Sequence, residues 1–156
     1  MRVFRIVREK YLESVLSGRG AQLSNGFRWN SLGTPMVYTA ESRSLAVLEV
    51  AVHLDLSEDL PTDRYLVGIE IPDDLEILTL QKSDLPVGWD SKPPEKLTLQ
   101  MGDSFIQGIL SAVLRVPSSI IQDEYNYLLN PLHKDFAKIK SDDPVHFGFD
   151  QRQILT

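Results

Sequence analysis

Short β-rich runs recur along this chain with connections mostly too brief for a parallel crossover, and that spacing restricts the fold more than any other feature. Val3 to Val7, Met36 to Tyr38, Tyr65 to Ile71, Leu75 to Leu80, Ala112 to Val116, Tyr125 to Leu129 and Val145 to Phe149 each combine β-branched or aromatic residues with turn-forming flanks. Only Pro72-Asp73-Asp74 separates two of these runs, so residues 65–71 and 75–80 read as a pair of antiparallel strands. Helical periodicity is rarer. It follows Arg8-Glu9-Lys10 through Leu16; it follows a cap at Thr39 or Ser42 through Leu45, Leu48 and Val52; and it runs from Asp103, read as an N-cap, to Ser111. The expected class is α+β: one domain, residues 1–156, of small antiparallel or mixed sheets with flanking helices.

Composition narrows the function. With 156 residues and 42% hydrophobic content the chain can build one core without staples. It has no cysteine, which excludes a disulfide framework, a thiolate zinc site and a Cys nucleophile, and suits a reducing cytoplasm. Charges interrupt the apolar residues of the first twenty positions, so no signal-peptide core is expected there, and no apolar run is long enough for a membrane span. The expected setting is cytoplasmic. Sixteen basic against 22 acidic residues, a net charge of −6, is the wrong sign for a dedicated nucleic-acid binder. Asp55, Glu58, Asp59 and Asp63 read as a solvated face.

Glu49 is the most informative single residue. At 100° per residue its helix brings Leu45, Ala46, Val52, His53 and Leu56 within about 60° of it, so a carboxylate lies on the apolar stripe. Such a group loses solvation unless a partner or ligand compensates, and His53 at i+4 or an arginine can be that partner. Residues 24–35 form a long polar loop carrying Arg28 between Phe27 and Trp29, where a guanidinium can fork onto phosphate or remain a surface group. Tyr38 ends the strand leading to the Glu49 helix and can stack on a ring or pack as core. Ser118 and Ser119 follow Pro117 at a strand end; no G-x-S-x-G elbow surrounds them, so a hydrolase triad with His133 and Asp135 is set aside. Asn126 and Asn130 can order backbone or bind a ligand hydroxyl. His53, His133 and His146 lack paired metal-ligand spacing, so no metal is expected, and no Walker A or complete dinucleotide fingerprint is present.

Five strings in order, Gly26-Phe-Arg28-Trp29-Asn30, Gly33-Thr-Pro-Met-Val-Tyr38-Thr-Ala, Leu45-Ala-Val-Leu-Glu49, Leu114-Arg-Val-Pro-Ser118 and Asn126-Tyr-Leu-Leu-Asn130-Pro, resemble the RES domain family, named for its Arg, Glu and Ser. The resemblance covers nearly the whole chain, with one departure: Phe105 stands where a Trp is expected. It implies a fold similar to the ADP-ribosyltransferase superfamily, two small sheets clasping NAD. It also implies the toxin half of a toxin-antitoxin pair, with an Xre-type helix-turn-helix antitoxin covering the active site and a toxin dimer within a larger complex. The implied activity is cleavage of the nicotinamide-ribose bond of NAD, depleting the cell and arresting growth, with transfer to a protein or to phosphate in some members. On this resemblance Arg28, Glu49 and Ser118 are the catalytic Arg, Glu and Ser, and Tyr38 is a further pocket residue. Tyr38 would stack on nicotinamide, Arg28 clamp the pyrophosphate or a ribose, and Ser118 fix the nicotinamide-ribose end; Arg5 and Asn126 are lesser binding candidates. Competing readings are a ribonuclease-like toxin using Arg28, Glu49 and a histidine, and a non-catalytic nucleotide-binding module.

Overall fold

The computed structural model describes residues 1–54 and 60–150. Asp55, Leu56, Glu58 and Asp59, singled out above, lie outside the described residues. Strands β1 (Arg2–Arg8), β2 (Val37–Ala40), β3 (Arg64–Glu70), β4 (Ile77–Thr79), β5 (Val113–Pro117), β6 (Tyr125–Leu129), β7 (Lys140–Ser141) and β8 (Val145–Phe147) are accompanied by helices α1 (Arg19–Gln22), α2 (Arg43–Ala51) and α3 (Lys96–Gly108). Hydrogen bonding links the strands in the order β4-β5-β6-β2-β1-β3-β7, with β8 also on β3. Among the described residues only β4-β5 is parallel, so the sheet is mixed and the class is α+β, as the strand spacing implied.

Instead of two separate small sheets, one path of strands is pinched in the middle. The β1-β3 ladder registers seven residue pairs, whereas β1 meets β2 at the single pair Phe4↔Ala40. Helix α2 lies across this narrow seam, with Leu45 and Ala46 buried against Phe4, Ile6 and Ala40. Alternation separates the layers. Val3, Val7, Val37, Tyr127 and Leu129 point into one core, beneath the 3-10 turn of residues 9–14, while Leu114, Val116 and Leu128 point into another that contains Trp29 and the Phe105 and Ile106 side chains of α3. Each fully buried aliphatic side chain contributes about 1.5–3 kcal/mol.

Three local expectations need correction. The turn at 72–74 forms, with Leu75 N–H donating to Pro72 O, but the chain then passes to β5: Ile77 registers with Val113 in parallel, and the expected antiparallel pairing with 65–71 is not made. The segment after Arg8 is a 3-10 turn with no buried residue and not an amphipathic α-helix. Asp103 is not an N-cap: α3 begins at Lys96 and ends at Gly108, and Asp103 lies within it. Ser42 is a cap, its Oγ accepting from Leu45 N at 3.1 Å. Asp63, read as part of a solvated face, pairs with Arg8 at 3.0 Å and with Arg64.

Helix α3 closes on Ile109 in the left-handed region at φ 52°, where a β-branched side chain is strained, and that side chain is 49% exposed. Ile109→Gly is therefore expected to stabilise the fold by about 1 kcal/mol, a gain measurable by urea unfolding, because little packing is lost and the helix cap is relieved.

Candidate active site

The N-cap and the apolar pair Leu45 and Ala46 orient α2 so that Glu49, one turn further on, faces the sheet. There the Nδ2 of Asn126 on β6 donates to Glu49 Oε1 at 2.9 Å and to Thr39 O at 3.2 Å. Ala40 and Val116 flank Asn126 in register, so the amide projects from the sheet at the seam. Burial raises the Glu49 carboxyl above its ordinary value, against the lowering effects of the Asn126 hydrogen bond and the Arg28 charge. The i+4 pairing with His53 is not the compensation. His53 lies exposed beyond the end of α2, and no ion pair joins it to Glu49 among the described residues.

Arg28 stands on the other wall. Its Nη1 donates to the carbonyls of Trp89 at 2.8 Å and Ser91 at 3.0 Å. Burial lowers its pKa, opposed by the negative fields of Asp90 and then Glu49. Tyr38 lies between these walls, its hydroxyl donating to Asn30 Oδ1 at 2.6 Å and accepting from Trp29 N at 3.1 Å, with the Phe27 ring edge-on at 5.5 Å. Burial pushes the phenol far above its usual range. The hydroxyl is tied down, and the half-buried side chain packs against the cluster that contains Trp29 and Phe105. Asn30, fully buried, also donates to Ala21 O and Thr34 O and so fixes the loop carrying Arg28.

Glu49, Arg28, Tyr38 and Asn126 are thus brought together. Ser118 is buried just beyond β5, and its Oγ accepts from the N–H groups of Ile120 and Ile121 at 3.0 and 3.1 Å, which shapes the following turn. Arg5 alternates with Phe4 and Ile6 and takes the opposite layer, donating to Val15 O at 3.2 Å; burial there lowers its pKa to about 10. Asn30 and the 89–91 bend were not assigned roles from sequence; a Trp within the Pro- and Gly-rich stretch 82–96 was the available signal. Two hollows of about 160 Å³ lie elsewhere, one beside Ser111 and His133 and one beside Lys82 and Tyr125, and neither is lined by Glu49, Arg28 or Tyr38.

Because the Asn126 amide lowers the Glu49 pKa, Asn126→Ala is expected to raise it further. The acid limb of any Glu49-dependent rate would then move to higher pH, since more of the carboxyl is protonated near neutrality. A pH-rate profile checks this; an unmoved limb would show that the carboxylate is set by other groups.

The seam of this mixed-sheet α+β domain thus holds a desolvated carboxylate within the fields of a guanidinium and a buried phenol. A profile described as RES domain matches residues 2–150, and the chain belongs to that family. A protein named Prs ADP-ribosylating toxin from Sphingobium sp. (strain YBL2) is 43% identical over 143 residues, covering 89% of this chain and 86% of the relative. A protein named Toxin Res from Photorhabdus laumondii subsp. laumondii is 42% identical over 155 residues, 99% of this chain and 97% of the relative. A chain in the crystal structure of the M. tuberculosis MbcT-MbcA toxin-antitoxin complex superposes with a TM-score of 0.69 at 18% identity, covering 97% of this chain and 85% of that one, a likeness of fold.

Proposed function

We propose that this protein is a toxin that cleaves the nicotinamide-ribose bond of NAD, with Glu49 as the residue that stabilises the reacting sugar. The observation that carries the reading is the Glu49 carboxylate, desolvated at the seam, held by Asn126 and facing the Arg28 charge. In NAD the C1′–N bond breaks with its electron pair returning to the nicotinamide nitrogen, so the leaving group departs neutral and needs no protonating acid. Positive charge grows on the ribose as the bond stretches. A carboxylate deprived of water is well suited to offset it and to accept from ribose hydroxyls. Tyr38 offers its ring to the nicotinamide, Arg28 a fork for pyrophosphate or ribose, and Asn126 keeps the carboxylate ionised and aimed. The Ser118 hydroxyl retains a hydrogen to donate at the nicotinamide-ribose end; Arg5, on the opposite layer, is the weakest of the binding candidates.

Water as acceptor gives ADP-ribose and a proton; a protein side chain as acceptor gives a modified target. The second outcome is favoured specifically by the 43% identical relative named for ADP-ribosylating Prs. The chain's fold neighbour in a toxin-antitoxin complex supports an antitoxin partner. We extend this to a helix-turn-helix antitoxin of the Xre type that covers the site, a toxin dimer within the complex, and a cytoplasmic setting, consistent with no helix among the described residues being long and apolar enough to cross a membrane.

Expression of the chain in bacteria tests the toxin reading. Growth arrest with a fall in cellular NAD, both absent for Glu49→Gln, is expected; arrest with intact NAD and degraded RNA would replace this reading with a nuclease.

A further inference from the structure

The bend at residues 89–91 takes no part in the reaction described above, yet it holds Arg28. The two carbonyls that accept from Arg28 Nη1, those of Trp89 and Ser91, flank Asp90. Two successive turns build the bend, Trp89 N donating to Pro86 O at 3.1 Å and Ser91 N to Gly88 O at 3.0 Å, with Gly88 at φ 84°. The Trp89 ring rests near that of Trp29, centroids 6.4 Å apart. Neutral carbonyls therefore position the guanidinium, and no carboxylate lies within 4.0 Å of it among the described residues. The charge stays available to an anion. Asp90 is exposed, and its field on Arg28 exceeds that of Glu49.

We propose that Asp90 sets the site's affinity for the anionic part of a dinucleotide, by opposing the approach of a diphosphate to the guanidinium that its own flanking carbonyls hold. The inference rests on the reading of Arg28 as a diphosphate clamp. Bound diphosphate and the Asp90 carboxylate have the same sign, and Asp90 lies between the two residues whose carbonyls hold the guanidinium, so removing the carboxylate removes both a competitor and a repulsion. Solvent screens an exposed carboxylate, which limits the gain to about two- to fivefold. Asn is compatible with a turn position, so Asp90→Asn should leave the bend intact.

The test is calorimetric titration of ADP-ribose, a diphosphate that cannot be turned over, into the wild type, Asp90→Asn, Arg28→Ala and the double variant, with thermal melts as a fold control. Asp90→Asn is expected to lower the Kd about two- to fivefold at low salt, to lose that gain in high salt, and to show a smaller gain when Arg28 is Ala. An unchanged or higher Kd, or a gain just as large without Arg28, overturns the role of Asp90. If Asp90→Asn fails to melt like the wild type, Asp90→Ser carries the same expectation and the same refutation. Wild-type binding that is unaffected by Arg28→Ala overturns the clamp itself and the Asp90 role with it; wild-type binding that needs Arg28 but ignores Asp90 overturns only the latter.

Discussion

Glu49→Gln is expected to lose nicotinamide release by about 10²–10³-fold while its melting temperature at neutral pH rises. The loss follows from the amide's neutrality: it can still accept a hydrogen bond but cannot offset positive charge on the ribose. The rise follows from burial. Folding raises the Glu49 pKa, so its favourable contribution is fully present below the ordinary carboxylate value and is lost as pH rises through the folded value. At neutral pH the ionised carboxylate is thus retained at a cost to stability, and the neutral isostere removes that cost. Melts of both proteins across pH check the sign: the variant's advantage should shrink as the wild-type carboxyl becomes protonated. A variant that is less stable than the wild type at neutral pH would mean that the Asn126 bond and the Arg28 field outweigh desolvation.

Gly102→Ala is expected to be the most damaging small substitution in the chain. A Cβ at Gly102 would lie 1.5 Å from Trp29 O and 2.5 Å from its carbonyl carbon, and both sides of that contact are backbone. Neither can rotate away. Next to it, Asp103 Oδ1 accepts from Ser31 N at 2.9 Å, so α3 and the Arg28 loop are joined at this point and must part together. The cost should exceed the usual 1–3 kcal/mol of overpacking, about 3 kcal/mol or more. For a chain of this length that lowers the melting temperature by roughly 6–12 °C. Because Arg28 and Trp29 move with the loop, ADP-ribose affinity should fall as well. A melt within a degree or two of wild type would show that α3 and the loop are not pressed together as described.

The residues explain which parts were legible beforehand. β6 was readable to the residue because Tyr125–Leu129 is a short aromatic and apolar run whose last three residues are buried on both faces of the sheet, and α2 was readable because a cap precedes its apolar repeat. The 65–80 pairing was misread because the turn at Pro72 is a local fact, whereas the partner of Ile77 is decided by Val113, far along the chain. In α3 the buried positions Thr98, Gly102, Phe105 and Ile106 do follow helical spacing, but two of them are not hydrophobic: Thr98 Oγ1 donates to Glu95 O, and Gly102 lets the Trp29 backbone approach closely. The displaced start made Asp103 look like a cap.

The site was half legible for the same reason. A carboxylate on an apolar helical stripe marks itself, so Glu49 could be found from its angle alone. Its partner, Asn126, is an ordinary polar residue until the β2-β6 register brings it beneath α2. The carbonyls of Trp89 and Ser91 have no signature at all, because backbone groups are common to every residue. Ser118 shows the converse: a motif position whose oxygen is engaged by two backbone N–H groups, a turn-forming use that its sequence context also allowed.

The most direct measurement is release of free nicotinamide when the purified chain is incubated with NAD, with phosphate and cell extract present so that any acceptor is available. Nicotinamide should appear with the wild type and be reduced by orders of magnitude with Glu49→Gln. A folded wild type that releases none, or a Glu49→Gln variant that releases it at the wild-type rate, would contradict the assignment of NAD cleavage to this carboxylate.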